Sequence, residues 1–371
     1  MKKIIIVGAG ILGASTAYQL TKKGAEVVLI DRKDPGQATD AAAGIICPWI
    51  SQRRNKAWYR LARLGAAFYP QLIEELESMG ETDTGYAQVG AISLHTNPDK
   101  LSAMEERARK RVSEAPEIGT ISPLSPEETK SLFPPLDSEY ASVLVSGAAR
   151  VDGRALRDAL IRAAQKKGAK LIKGHADLLF HGSQVIGIKT EGQTIEADIV
   201  IVCAGAWANK VLKPLGLDFK VSFQKAQIVH FELPGVEMSK WPVVMPPNDQ
   251  YLLAFEDRLV AGSTHENIDQ FDYRLTAGGL EEILHKALDT APGLAEATFK
   301  EARIGFRPFT PGFLPVLGPL PGFSGIIVAN GLGASGLTMG PFIGSQLAKL
   351  ALEENIDIPL EDYDVREAIQ K

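Results

Sequence analysis

The chain has 371 residues, 45% hydrophobic and 23% charged, with a formal net charge of −5. That composition supplies a large core at a length favouring two domains, and so small a net charge excludes an electrostatic case for nucleic acid or an anionic membrane surface. Cys47 and Cys203 are the only cysteines, too few for a disulfide framework and not at metal-ligand spacing, so a cytoplasmic setting and a small-molecule partner are expected.

Lys3 to Val7 is a continuous apolar run of the kind a buried parallel strand shows. Leu12 to Lys23 then reads as a helix ending at Gly24, and Glu26 to Ile30 as a second strand. Together they make a βαβ unit with an expected right-handed crossover. The start Met1-Lys2-Lys3 ahead of apolar residues has the outline of a signal peptide. The regular glycine spacing, the lack of a small-residue cleavage site and the amphipathic continuation to Lys23 favour a folded element instead. No stretch reaches the ~18 to 20 unbroken apolar residues of a membrane span, so no integral membrane segment is expected.

From Asn55 to Met79 the residues Trp58, Leu61, Leu64, Phe68, Leu72 and Leu76 recur at helical spacing, with Pro70 expected to kink or divide the helix. Lys100 to Glu114 reads as an exposed helix, and Ser125, Pro126 and Glu128 match an N-cap, a first-turn proline and a capping-box acid. A second α/β pattern opens at Asp152, runs through Leu156, Leu160 and Ala164 to Gly168, and enters the strand Lys170 to Lys173. Glu196 to Val202 is another apolar run, ending in the tight turn Cys203-Ala204-Gly205-Ala206-Trp207. Between Val221 and Thr264 the alternating stretches Val221 to Leu233 and Tyr251 to Gly262, separated by Pro242, Pro246 and Pro247, suggest an inserted antiparallel sheet. A helix near Leu280 to Leu288 follows; from Ala302 a strand and glycine turn lead to a final helix near Leu337 to Leu352. No internal repeat or low-complexity tract is visible.

Gly8-Ala9-Gly10-Ile11-Leu12-Gly13 sets three glycines between strand and helix, where a tight turn, close approach of pyrophosphate and close helix packing each exclude a side chain. The helix amino terminus then faces the phosphates. Asp31 ends the next strand, about 20 residues on, where an acid accepts hydrogen bonds from the ribose hydroxyls and argues against a 2′-phosphate. The motif alone serves NAD and FAD equally. An NAD-dependent dehydrogenase usually continues with regular βα units, whereas here the pattern is interrupted and resumes near Asp152 and again at the carboxyl end.

On this fingerprint, Thr39-Asp40-Ala41-Ala42-Ala43-Gly44, Ala197 to Trp207, and Gly305-Phe306-Arg307-Pro308 followed by Asn330 to Pro341, the chain resembles the D-amino-acid oxidase-like flavoenzymes over almost its whole length. That group includes glycine oxidase, sarcosine oxidase and D-amino-acid dehydrogenase. The resemblance implies an α/β fold in which a discontinuous Rossmann-like FAD-binding domain (1–84, 140–217 and 301–371) carries an α+β, mainly antiparallel substrate domain (85–139 and 218–300). It also implies FAD contacts from Gly8, Gly10, Ile11, Leu12, Gly13, Asp31 and Arg32, from Thr39, and from Ala176 beside the adenine. Ala42, Ala43 and Gly44 suit close approach to a flat ring, although a packed turn explains them too. Ala204, Gly205 and Trp207 form the second turn on the ligand edge. Gly331, Gly333, Ala334, Ser335, Gly336, Leu337 and Thr338 lie before or at the start of the last helix, whose dipole would face the pyrimidine edge of reduced flavin; a plain loop-to-helix junction competes.

By the same resemblance Arg307 grips a substrate carboxylate, against the alternative of a structural arginine paired with an internal acid, and Tyr251 helps hold that carboxylate. The implied reaction is FAD-dependent oxidation of a small amino acid or N-substituted amino acid, by hydride transfer from the carbon bearing nitrogen to flavin N5, giving an imine that hydrolyses. No general base is required if the amine binds neutral. The glycine-rich stretch before the last helix lacks glycine oxidase's bulkier charged residues, which puts glycine in doubt as substrate. Neither a cysteine in Phe309 to Gly318 nor a histidine at Ala41 is present to attach flavin, so non-covalent FAD is expected, with Cys47 packing as a small hydrophobe. Oxygen or a quinone remains open as acceptor, leaving oxidase and D-amino-acid dehydrogenase both possible; the remaining alternatives are a non-redox FAD-binding protein and an NAD-dependent dehydrogenase. The histidines, among them His175, His181, His265 and His285, have no ligand spacing, so no metal is expected. His265 and Glu266, after a strand, are minor candidates for touching substrate.

Overall fold

A computed structural model describes residues 1–370. Its first layer is a six-stranded sheet ordered Val316–Pro319, Ile326–Asn330, Ile199–Val202, Lys3–Val7, Glu26–Asp31, Lys170–Lys173. All pairs are parallel except the edge pair of Val316–Pro319 with Ile326–Asn330. The apolar run of Lys3–Val7 is needed because both faces are covered. Ile4 and Ile6 pack with Leu12, Tyr18 and Leu347, which belong to helices Ile11–Lys22 and Gly336–Ala351. Ile5 and Val7 pack on the opposite face with Leu178, Ile188 and Leu212. Each buried isoleucine contributes about 1.5–3 kcal/mol.

The second layer is a larger sheet containing Ser222–Glu232, Leu259–Gly262, Tyr251–Ala254, Val243–Met245, Ala91–His95, Ala141–Val145, Ile121–Leu124 and the long strand Thr298–Phe309. It is antiparallel apart from the pairing of Val243–Met245 with Ala91–His95. Helix Ala277–Thr290 covers its outer face through Ile283 and Ala287. The hydrogen bonding puts Ala141–Val145 and Thr298–Phe309 in this second sheet, so boundaries at 140 and 301 fall beside or within its strands. Sequence spacing gave no sign of this, because the strands pair with residues far away in the chain.

Three local features differ from the sequence reading or add to it. Helix Lys56–Ser78 runs unbroken through Pro70: Leu61, Ala62 and Tyr69 before it and Leu72, Ile73 and Leu76 after it bury into one core, which holds the helix continuous where local chemistry favours a break. The exposed helix near 100–114 stops earlier, spanning Pro98–Arg109. A three-stranded meander, Asp177–His181, Gln184–Thr190 and Gln193–Glu196, fills the stretch that periodicity left blank. The capping box at Ser125 and the Asp152 N-cap form as the sequence suggests.

Candidate functional site

A cavity of about 370 Å3 runs from the glycine turn after Lys3–Val7 to the inner face of the second sheet. At its first end Gly8 sits at φ +103°, and a Cβ there would strike the Cys203 carbonyl, while a Cβ on Gly13 would overlap the Gly8 carbonyl. These two glycines are demanded by strand and helix packing. Gly10 differs, since its nearest obstacle to a Cβ is Thr39 Oγ1 at 3.3 Å, on the open side. Asp31 knits this end together: its Oδ2 accepts the Ala9 amide at 2.6 Å, and its Oδ1 accepts the Lys33 amide at 2.5 Å and Gln37 Nε2 at 2.8 Å. A carboxylate has about four acceptor positions, so one remains for a ligand hydroxyl.

Two helices of seven or more residues open their amino termini on the cavity, and neither N-cap side chain makes a capping bond. Helix Ile11–Lys22 starts from Gly10 and helix Gly336–Ala351 from Ser335, neither with an N-cap hydrogen bond nor an acidic residue in its first turn. Every other helix of seven or more residues among the described ones has one, from Asn55, Asn97, Ser125, Asp152 and Thr276. Thr39 Oγ1 accepts one amide, that of Ile11, at 3.0 Å. The remaining first-turn donors and both dipoles are left for an electron-rich ligand, as an anion site requires.

The middle of the cavity is walled by Ala42, Ala43 and Gly44 on one side and Ala204, Gly205 and Trp207 on another. Gly44 also meets the Val151 carbonyl in the direction a Cβ would take, and Gly331 meets Thr310, so packing fixes both. Asn330 joins the walls: its Nδ2 donates to the Gly205 carbonyl at 2.9 Å, and its Oδ1 accepts the Gly331 amide at 2.6 Å. Thr338 Oγ1 donates to the Ile45 carbonyl at 3.0 Å, tying the last helix to the Ala-Ala-Gly segment.

At the far end Arg307 projects from Thr298–Phe309. It donates through Nη2 to Ser263 Oγ, while its buried Nη1 has no partner. No carboxylate lies within ion-pair distance among the described residues, so the internal acid of the structural alternative is absent. Burial pushes the guanidinium pKa down, with Tyr251 opposing the shift. Burial also raises the Tyr251 phenol against the pull of Arg307 and Ser263. Tyr251 stands opposite Gly262 in the strand register, and a Cβ on Gly262 would lie 2.6 Å from its hydroxyl. An unpaired buried cation with an unsatisfied donor costs several kcal/mol unless an anion reaches it.

Of the residues singled out from sequence, Gly8, Gly10, Ile11, Leu12, Asp31, Arg32, Thr39, Ala42, Ala43, Gly44, Ala176, Ala204, Gly205, Trp207, Tyr251, Arg307, Gly331, Gly333, Ala334, Gly336, Leu337 and Thr338 line this one cavity. Gly13 and Ser335 do not; Gly13 acts beneath the turn and Ser335 lies behind the start of the last helix. His265 lines the far end and Glu266 does not. Sequence reasoning missed Gln37, Asp249 and Ser263, and named Cys203 and Asn330 only within longer segments, with no role of their own. Of the three missed, only Ser263 had a visible signal, a polar residue closing an apolar strand. Burial raises the thiol of Cys203 to about 12 and that of Cys47 likewise, so neither is a reactive thiolate. No cluster of three or more His, Cys, Asp or Glu suited to a metal is found among the described residues, and none of their helices is long and apolar enough to cross a membrane.

Residues 3–350 match the family model described as DAO, FAD dependent oxidoreductase. The chain is 62% identical over 366 residues, 98% of each chain, to a Bacillus subtilis protein named uncharacterized oxidoreductase YurR. It is 31% identical over 363 residues, 94% of each chain, to the glycine oxidase of Pseudomonas aeruginosa. Among solved structures, iminodiacetate oxidase (IdaA) from Chelativorans sp. BNC1 superposes with a TM-score of 0.95 at 46% identity, covering 97% of this chain and 98% of that one.

Proposed function

This chain belongs to the DAO family of FAD-dependent oxidoreductases, and from that premise we propose that it oxidises a small amino acid whose nitrogen carries a substituent. The observation that carries this reading is Arg307, a buried guanidinium without a counter-ion at the end of a cavity whose other end is a dinucleotide turn. The name of the 46% identical neighbour, iminodiacetate oxidase, favours a secondary amine bearing a carboxylate over glycine.

The residues present fit FAD. Asp31 keeps an acceptor position for ribose, the uncapped Ile11–Lys22 terminus offers amides to the diphosphate, and the small residues Ala42, Ala43 and Ala204 leave width for a flat ring. The uncapped terminus of Gly336–Ala351 would favour negative charge on the ring edge nearest it. Bound there, FAD supplies the acceptor for the hydride that leaves the carbon next to nitrogen, and the resulting imine hydrolyses in water. Arg307 binds the substrate carboxylate through its fork of donors, Ser263 holds that fork in place, and Tyr251 adds a hydroxyl from the start of strand Tyr251–Ala254. The cofactor is held without a covalent bond, and the six-stranded sheet with its helices forms the FAD-binding domain while the larger sheet forms the substrate domain.

An anaerobic screen of amines and amino acids for bleaching of the bound flavin tests the reading. Bleaching by N-substituted amino acids is expected; no bleaching by any amine would instead support a non-redox flavin protein. Stoichiometric peroxide on admitting air identifies an oxidase, the form we favour, whereas turnover only with quinones identifies a dehydrogenase. Flavin that stays with the protein after acid precipitation would refute non-covalent binding.

A further inference from the structure

His265 and Asp249 share the far end of the cavity with Arg307. The His265 backbone is pinned on both sides: fully buried Thr264 accepts the Gln227 amide through Oγ1 at 2.9 Å, and Glu266 accepts Gln227 Nε2 at 2.7 Å. Its side chain is 41% exposed, and its Nδ1 lies 3.6 Å from Asp249 Oδ2. Asp249 is itself held by Lys286 Nζ at 2.8 Å, which also reaches Glu282 at 2.8 Å. The charged groups facing the imidazole are therefore Arg307 on its strand, Asp249 in the preceding turn, and Glu282 and Lys286 on helix Ala277–Thr290.

This end thus presents a cation for a carboxylate and, beside it, an imidazole with an acid behind it. That pattern complements a zwitterion. We propose that His265, oriented by Asp249, takes the proton from the ammonium nitrogen of the substrate, so that the amine is neutral when it is oxidised. The proposal rests on the amino-acid oxidation reading above and adds a residue that reading does not need. In the step, an N–H bond breaks with its electron pair left on nitrogen, and the proton bonds to Nε2. The imidazolium charge settles against Asp249, and the exposed edge of the ring returns the proton to water.

Burial and then Arg307 hold the His265 pKa below its ordinary value, so the free site keeps a neutral imidazole ready to accept. A carboxylate seated on Arg307 cancels that repulsion. The imidazole therefore becomes more basic as substrate arrives, which couples carboxylate binding to deprotonation of the amine.

The test compares flavin bleaching rates, by stopped flow, with N-methylglycine and N-(2,2,2-trifluoroethyl)glycine, whose fluorines make its ammonium far more acidic. For H265Q we expect a loss of about a hundredfold with N-methylglycine at pH 7, shrinking as pH rises, and little loss with the fluorinated amine. D249N should show the same pattern more weakly, and added imidazole should rescue H265A. Equal losses on both amines, or a loss independent of pH, would overturn the assignment. A second measurement separates it from the oxidation reading: binding of 2-aminoisobutyrate, which has no hydrogen on its α carbon, and of isobutyrate, followed by the flavin spectrum of the holoenzyme. H265Q should weaken the first about tenfold and leave the second unchanged. That selective loss in a protein no amine can bleach would keep His265 and remove the oxidation reading; equal weakening of both ligands would remove His265.

Discussion

At the scale of single residues the site turns on charge. Arg307 was legible in the sequence as a cation in an apolar, proline-flanked stretch, and its meaning came from what the fold withholds, a carboxylate within reach. Hydrogen bonds between a buried guanidinium and a carboxylate are worth about 1.5–3 kcal/mol, so R307A should lower kcat/KM for a carboxylate-bearing amine by roughly ten- to a hundredfold, mainly through KM. The same variant should act on a neutral amine almost as the wild type does, and R307K should recover little because an ammonium lacks the planar fork. Similar losses on both substrate types would take the carboxylate role from Arg307. Ser263, which steadies the fork, was not legible: it reaches Arg307, 44 positions away, only because the strand before it and the strand of Arg307 both pair with Ser222–Glu232, on opposite edges. Asp31 was legible as an acid at a strand end, but its hydrogen bonds to Ala9, Lys33 and Gln37 depend on a turn that composition does not reveal.

At the scale of elements, capping chemistry read from sequence carried far. Ser125 and Asp152 mark helix starts that form as expected, and the two helices of seven or more residues whose N-cap residues, Gly10 and Ser335, make no capping bond are the two that open on the cavity. The meander between 177 and 196 escaped because its short strands are separated by the turns at Gly182 and Gly192, interrupted at Gly187, and buried without regular alternation, which blurs a period of two. The helix Lys56–Ser78 shows tertiary packing overruling a local breaker, and it has a second consequence. A Cβ on Gly65 would overlap the Thr338 carbonyl, and Tyr69 Oη donates to the Leu337 carbonyl at 2.6 Å, so this helix sets the position of the last helix's first turn. G65V should cost about 1–3 kcal/mol by overpacking and should also weaken FAD retention, because it displaces Leu337 and Thr338 on the cavity wall. Thermal denaturation together with flavin fluorescence on dilution checks both. A destabilised variant with unchanged flavin affinity would show that the two helices bear on stability alone.

At the scale of the molecule, the cavity is assembled from segments spread along most of the chain, among them the glycine turn, the loop after Lys170–Lys173, the strands bearing Tyr251 and Arg307, and the start of the last helix. Its two ends belong to different sheets, joined where Gln37 forms a β-bridge with Phe306 and Gly36 accepts the Phe306 amide at 2.9 Å. A ligand filling such a cavity binds the folded arrangement and not the unfolded chain, so its binding energy adds to the stability of both layers together. At free FAD a hundredfold above its dissociation constant the gain is about 2.7 kcal/mol, which in a protein of this size raises Tm by roughly 3 to 4 °C. Protein stripped of flavin should therefore melt lower, and adding FAD should move the whole transition upward as one, seen alike by far-ultraviolet circular dichroism and by fluorescence of Trp49, Trp58, Trp207 and Trp241. A shift confined to part of the signal would mean that the six-stranded sheet holds FAD without engaging the sheet that carries Arg307. The substrate carboxylate would then meet a site that the cofactor does not help to form.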